Sequence, residues 1–379
     1  MSRQPNSVWL VGFVGLLIGI ALALRIMAPH EFDPTIFVAW SQRDTPRQQS
    51  YPHRILATAP SDEGFGHDGK YFFVQANDPW LLHPTEHAAV LDKPLYRAQR
   101  MLYPVLLSGL GFLSPRVVLW SMVVTNILAL GLGTLFAAKL AVLMKLSPWL
   151  GLCVPLNPGL MFELQFSGSG ILAFACCLAA LYALQIGRSG VAVALFTAAC
   201  LSRETMILFC AGIVLLSWRS RKSVPWQVLI VPGIAMAAWH GYLRMRLAGI
   251  SGMGEKIDIF GYPFEGILRA WSVWLTDPRH LLINATFLAV LVAFVFLAYR
   301  SDVPLAWGAL PLVAIAPFFS ANIWLGLFNS SRALAPVFTA FPFLVMWRVE
   351  GVARPSALRH RPRGSSFDLR FRHRKAGNE

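Results

Sequence analysis

Residues Val8 to Ala28 read VWLVGFVGLLIGIALALRIMA, and this run decides the fold class. About 21 apolar residues in one helix rise ~30 Å, the thickness of a bilayer's hydrocarbon core. The run follows a short leader carrying Arg3, is longer than a signal-peptide core, and has no small-residue cleavage site after it. It reads as an uncleaved signal anchor over residues 1–28 with its amino end inside. Further apolar runs recur as far as the mid-340s. Hydrophobic residues make up 56% of the 379, charged ones only 14%, and the mean hydropathy is +0.54. Soluble domains run about 25% charged. The chain therefore reads as an all-α, polytopic helical membrane protein.

The net charge of +14 is unevenly spread. From Arg348 onward nine cations face three acids, so the tail alone carries +6 of it. Basic residues kept on the cytoplasmic side beside anionic lipid account for this better than nucleic-acid binding, and no nucleic-acid partner is expected. The five cysteines, Cys153, Cys176, Cys177, Cys200 and Cys210, all lie in apolar segments, with neither a disulfide framework nor metal-type spacing.

Outward from the first helix, residues 29–115 read as one extracytoplasmic loop. Within it Met101 to Leu113 is too short to span comfortably and is expected to lie as a helix in the interface. A membrane domain over residues 116–347 follows. Its expected crossings are Val117–Ala138, Pro148–Gln165, Ile171–Ile186, Val191–Ser202, Met206–Trp218, Trp226–Leu247, Leu281–Tyr299, Pro304–Ser320 and Leu334–Trp347. Val191 to Trp218 can also be read as a single helix, which would reverse everything after it. The positions of Lys139, Lys145, Arg188, Arg219, Arg300 and the tail favour two short helices instead. Ala248 to Glu265 is polar and stays outside, and Ile267 to Leu275 reads as a second interfacial helix. The result is about ten spans, with both termini and the basic tail, residues 348–379, in the cytoplasm.

The chemistry concentrates in the loop stretch Gly64 to Pro104, GFGHDGKYFFVQANDPWLLHPTEHAAVLDKPLYRAQRMLYP. Gly66 and Gly69 flank His67-Asp68 and permit a tight turn that presents Asp68. Tyr71-Phe72-Phe73 is expected to anchor the turn at the membrane surface. A carboxylate at the water–lipid boundary suits a general base toward an acceptor hydroxyl, though an ordinary solvated loop aspartate has the same pattern. His67 is a candidate orienting partner, and Lys70 and Tyr71 complete the turn. Arg97 and Arg100, three apart on a helix, would share a face and suit a phosphate, or else snorkel to lipid head groups. Arg203 and Glu204 sit between two apolar segments, either serving a ligand or pairing with one another. Arg332, in Asn329-Ser330-Ser331-Arg332, is a further phosphate candidate. Asp33 is the alternative catalytic acid. Histidines 30, 53, 67, 83 and 87 match no zinc spacing, and no metal site is assigned. There is no P-loop, dinucleotide fingerprint or nucleophile elbow.

Four pieces of this chain resemble one family. Asp68-Gly69-Lys70-Tyr71-Phe72 with Ala76 resembles the Trp-Asp-Gly-x-x-Tyr motif in the first lumenal loop of glycosylphosphatidylinositol mannosyltransferase II and its bacterial relatives, members of the GT-C superfamily. Asn157-Pro158, followed by Phe166-Ser167, is similar to their Asn-Pro…Tyr-Ser-Glu segment, and Leu201-Ser202-Arg203-Glu204-Thr205 to their Leu-Thr-Arg turn. Pro94-Leu95-Tyr96 through Leu102-Tyr103-Pro104 resembles the Pro-Pro-Leu-Tyr juxtamembrane helix of GT-C lipid-sugar transferases more widely. The resemblance covers about residues 60 to 220 and departs at two places. His67 replaces the Trp, and Gly168 or Gly170 replaces the Glu, whose role would then pass to Glu163 or Glu204. The resemblance implies a GT-C fold in a bacterial plasma membrane and an inverting sugar transfer with Asp68 as base. The donor would be a polyprenyl-phosphate sugar, and the acceptor a glycan, lipid or protein. No cofactor is required, although a divalent metal is compatible. A transporter of lipid-linked sugars, or a non-catalytic envelope subunit, is the rival class.

Overall fold

The computed structural model describes residues 5–41, 61–62, 66–91, 93–221, 223–250 and 259–353. The tail from Arg354, His53, and residues 251–258 of the polar segment before Glu265 lie outside the described residues. Helices come in the order α1 (Pro5–Met27), α2 (Gly69–Asn77), α3 (Pro84–Val90), α4 (Pro94–Arg97), α5 (Leu102–Leu107), α6 (Pro115–Leu143), α7 (Pro158–Gln165), α8 (Gly170–Gln185) and α9 (Ser189–Ser202). They continue with α10 (Met206–Arg219), α11 (Gln227–Arg246), α12 (Glu265–Trp274), α13 (Pro278–Tyr299), α14 (Pro304–Ile315), α15 (Ala321–Leu325), α16 (Leu327–Ala333) and α17 (Ala335–Ala353). Among the described residues the only sheet pairs two parallel strands of two residues, β1 (Trp40–Ser41) and β2 (Ser61–Asp62).

Among the described residues four helices, α1, α6, α11 and α13, are long and apolar enough to cross a bilayer. A fifth is added if α16 and α17, bent by 66° to one another, count as one. Helices α8, α9 and α10 and the stretch Pro304–Phe318 are apolar but shorter. This is the make-up of a helical membrane protein, with lipid-type side chains such as Trp9, Phe13, Leu17 and Leu24 exposed along α1.

Contacts at the helix ends sort into two groups. At one end Lys139 lies over the rings of Trp9, Phe136 and Tyr182, Arg219 over Tyr299 and Trp307, and Arg300 over Phe296. The opposite ends of α8 and α9, together with α2, α4, α7 and α16, meet around Asp68. Between the two ends a continuous core runs through α6, α8, α9, α10, α13, α14 and α17, with Phe174, Phe196, Phe209, Phe294 and Phe343 buried in it.

The structure corrects several sequence expectations. Met101 to Leu113 is not one helix. Helix α5 stops at Leu107, and Gly109, Leu110 and Gly111 take φ of 54°, 66° and 100°, which turns the chain instead of continuing the helix. Arg97 and Arg100 do not share a helical face either, because α4 ends at Arg97 and Arg100 follows a turn. The Pro148–Gln165 crossing is broken. A 3-10 helix over Pro148–Cys153 gives way to α7, which restarts at Pro158 with Asn157 Oδ1 accepting from Gly159 and Leu160. Phe72 and Phe73 do not reach outward. They are buried against Val38, Trp40, Tyr103 and Met122. The stretch Val191 to Trp218 is two helices, α9 and α10, parted at residues 203–205, as the cation pattern favoured.

Candidate active site

Asp68 stands at the head of α2, and Gly69 after it explains how close that head packs. A Cβ at Gly69 would lie 2.1 Å from the Phe37 carbonyl oxygen and 3.0 Å from that of Phe166. Only glycine lets the first turn of α2 press on both segments. Asp68 is thereby set where three guanidiniums converge. Arg332 Nη2 donates to its Oδ2 at 2.5 Å, Arg97 Nη1 to its Oδ1 at 3.3 Å, and Arg100 Nη1 lies 3.9 Å from Oδ2.

Two more carboxylates complete the cluster. Glu163 of α7, 1% exposed, accepts from Arg203 Nη1 and from Arg332 Nε at 2.9 Å, and from the Gly170 amide at 2.9 Å. Glu204 takes a forked pair from Arg100, Nε to Oε2 at 2.9 Å and Nη2 to Oε1 at 3.0 Å. Arg100 Nη2 also donates to Tyr96 Oη at 3.3 Å. Four arginines and three acids leave one net positive charge, at a point where six helices meet.

Electrostatics follow from that geometry. Burial pushes the Asp68 carboxyl upward, but the charges of Arg332, Arg100 and Arg97 outweigh it and hold the group well below the usual carboxylate range. Glu204 is treated alike: burial raises it, Arg100 and Arg203 lower it, and the result is about 2. Both are therefore anionic at any physiological pH.

Of the residues expected from sequence, Asp68, Arg97, Arg100, Arg203, Glu204 and Arg332 all come together. Arg203 and Glu204 do not pair with one another: Arg203 holds Glu163, and Glu204 holds Arg100. His67 stacks on Phe166 with ring centroids 3.7 Å apart and meets the edge of Phe328 at 5.4 Å. Tyr71 lies under Arg97 at 3.8 Å, with buried Lys70 at 5.0 Å from the same ring. Asp33 is elsewhere, its Oδ1 accepting from the Thr35 amide to cap a short 3-10 helix. Glu163, one of the two acids expected to stand in for a Glu at 168 or 170, packs directly against both glycines. A Cβ at Gly168 would fall 1.8 Å from its Oε2, and one at Gly170 2.6 Å from its Cδ. A lone carboxylate inside an apolar run was the sequence signal for it. Tyr96 was marked in the sequence only as the last residue of Pro94-Leu95-Tyr96.

Two openings flank the cluster. A crevice of only about 10 Å³, no larger than one water, is lined by Asp68, Tyr71, Phe72, Tyr96, Arg97 and Arg100. A separate cavity of about 670 Å³ lies between α1 and α7, with Arg25, His30, Trp40, His67, Phe162 and Phe166 in its wall. Among the described residues no group of three His, Cys, Asp or Glu side chains could hold a metal ion. Comparison with protein-family models, with curated proteins and with solved structures finds no match.

Proposed function

We propose that this chain is an integral membrane glycosyltransferase of GT-C type, moving a monosaccharide from a polyprenyl-phosphate donor to an acceptor outside the membrane. The observation that carries this reading is a carboxylate at a helix head, beside a crevice, gripped by three arginines at one end of an apolar helical bundle. In the proposed topology about ten crossings, one of them the broken run Pro148–Gln165, set both termini in the cytoplasm and the Asp68 cluster outside. The cationic ring contacts at the other end of the bundle support that orientation. The apolar cavity of about 670 Å³ at the membrane exit of α1 suits an amphiphilic ligand, since its size falls within the ~300–1,000 Å³ of ligand sites.

The chemistry runs as follows. Asp68 takes the proton of the acceptor hydroxyl, whose oxygen attacks the anomeric carbon with inversion. The bond to the carrier phosphate breaks, and the released charge is held by Arg97 and Arg100, which line the crevice. Arg203 and Arg332, fixed by Glu163, keep the field positive. In the ligand-free protein Asp68 is a weak base because three guanidiniums stabilise its anion. A phosphate drawn to Arg97 and Arg100 competes for two of the three guanidiniums and raises the proton affinity of Asp68 when the donor is in place, with Arg332 still bonded to it. Mass spectrometry of surface glycans in cells carrying wild-type, deleted or Asp68→Asn gene tests this. The same glycan should be missing from the last two. Its presence with Asp68→Asn would remove the catalytic reading and leave the transporter class.

A further inference from the structure

The carbonyl of Ala98 lies between Arg97 and Arg100 in sequence, and two distant side chains donate to it. Gln75 Nε2 of α2 reaches it at 3.1 Å, and Trp239 Nε1 of α11 at 2.9 Å. Ala98 is fully buried and caps α4, so its carbonyl is out of reach of water and has left the helix ladder. Gln75 sits two turns beyond Asp68 on the same short helix. The carbonyl therefore ties the arginine turn to the helix that carries the proposed base.

Trp239 brings a second element to the same point. The following turns of α11 also donate to backbone carbonyls of this loop, Tyr242 Oη to Trp80 at 2.5 Å and Arg246 Nε to Leu81 at 2.9 Å. Positions 239, 242 and 246 share one helical face. Apolar contacts among Leu81, Ala98, Leu243 and Leu247 back the seam. An apolar helix more than a hundred residues downstream is thus fastened along the loop by three side chains, and the first of them meets the arginine turn.

We propose that Trp239 is a positioning residue for phosphate binding: by holding the Ala98 carbonyl it sets the turn that fixes the spacing of Arg97 and Arg100. The inference rests on the phosphate-site reading above. Trp239 does not line the crevice and acts only through the two arginines. Misplacing a binding group by about 1 Å can cost ~10²-fold, so a loosened turn has a measurable effect.

The test uses the full chain in lipid nanodiscs with undecaprenyl phosphate as probe, and measures Kd for wild type, Arg97→Gln, Trp239→Phe and the double variant. Each single change should weaken binding about tenfold, and the double should lose less than the product of the two, because part of what Trp239→Phe costs is the Arg97 contact that Arg97→Gln has already removed. Wild-type affinity in Trp239→Phe, or losses that multiply in the double, overturn the proposal. Wild-type affinity in Arg97→Gln overturns the phosphate site itself, and the positioning role with it. If Trp239→Phe does not accumulate, Gln75→Met removes the other donor to the same carbonyl and carries the same expectations.

Discussion

Arg332 donates to Glu163 at 2.9 Å across 169 positions of sequence, and its other nitrogen reaches Asp68. One guanidinium thus joins the proposed base at the head of α2 to the acid of the broken crossing. Both Arg332 and Glu163 are buried, at 7% and 1% exposure, so neither charge has water to fall back on.

Removing that link should be costly. Arg332→Met takes one donor from each of two carboxylates, and because Asp68 keeps Arg97 and Arg100 and Glu163 keeps Arg203, the cost should fall below the about 3–5 kcal/mol of a fully broken buried pair. Thermal unfolding in detergent should register the loss. An unchanged melting temperature in Arg332→Met would mean that the cluster does not form.

Arg100 tests geometry apart from charge. Its two parallel bonds to Glu204 and its place in the crevice both use the planar fork of the guanidinium. A lysine keeps the charge but cannot make the fork. Arg100→Lys should therefore bind undecaprenyl phosphate nearly as poorly as Arg100→Ala. Full affinity in the lysine variant would make Arg100 a plain counter-charge.

Gly69→Ala should act on Asp68 without touching it. The added carbon would meet the Phe37 and Phe166 carbonyls, and backbone cannot swing aside as a side chain does. Overpacking of this kind costs about 1–3 kcal/mol and would shift the head of α2. Glycan product should fall along with the melting temperature. Asp33→Asn, which only weakens a cap, should leave product formation intact.

Much of this was legible from sequence, and what was not has a physical reason. Hydropathy located the long helices because burial in lipid demands apolar side chains all round. The hinge at Arg203 showed itself through cations, and Asp68 through its flanking glycines. The breaks inside Met101–Leu113 and Pro148–Gln165 were masked by apolar composition, although Gly109, Gly111 and Pro158 mark them. Which acid each arginine would meet was beyond reach. Arg332 and Asp68 lie 264 positions apart, and nothing local encodes that apposition. The exchange of partners between Arg203–Glu204 and the observed Arg203–Glu163 and Arg100–Glu204 pairs is likewise a product of packing.

His87 gives the protein a pH dependence separate from the active site. It is 2% exposed in α3, and among the described residues neither ring nitrogen meets a hydrogen-bond partner. Burial lowers its pKa from 6.5 to about 4, with Asp78 pulling weakly the other way. The fold therefore favours the neutral ring. Its contribution is complete above the unfolded value of ~6.5 and is lost as pH falls from there toward about 4. At pH ~5 the loss amounts to about 2 kcal/mol relative to neutral pH. Asp68 adds nothing between pH ~7 and ~5, because its carboxyl titrates below that range in both states, the unfolded one near 3.8. Melting of the wild type in detergent should therefore drop between pH ~7 and ~5, while His87→Leu should melt at nearly the same temperature at both. An equal drop in His87→Leu would assign the acid sensitivity to another group.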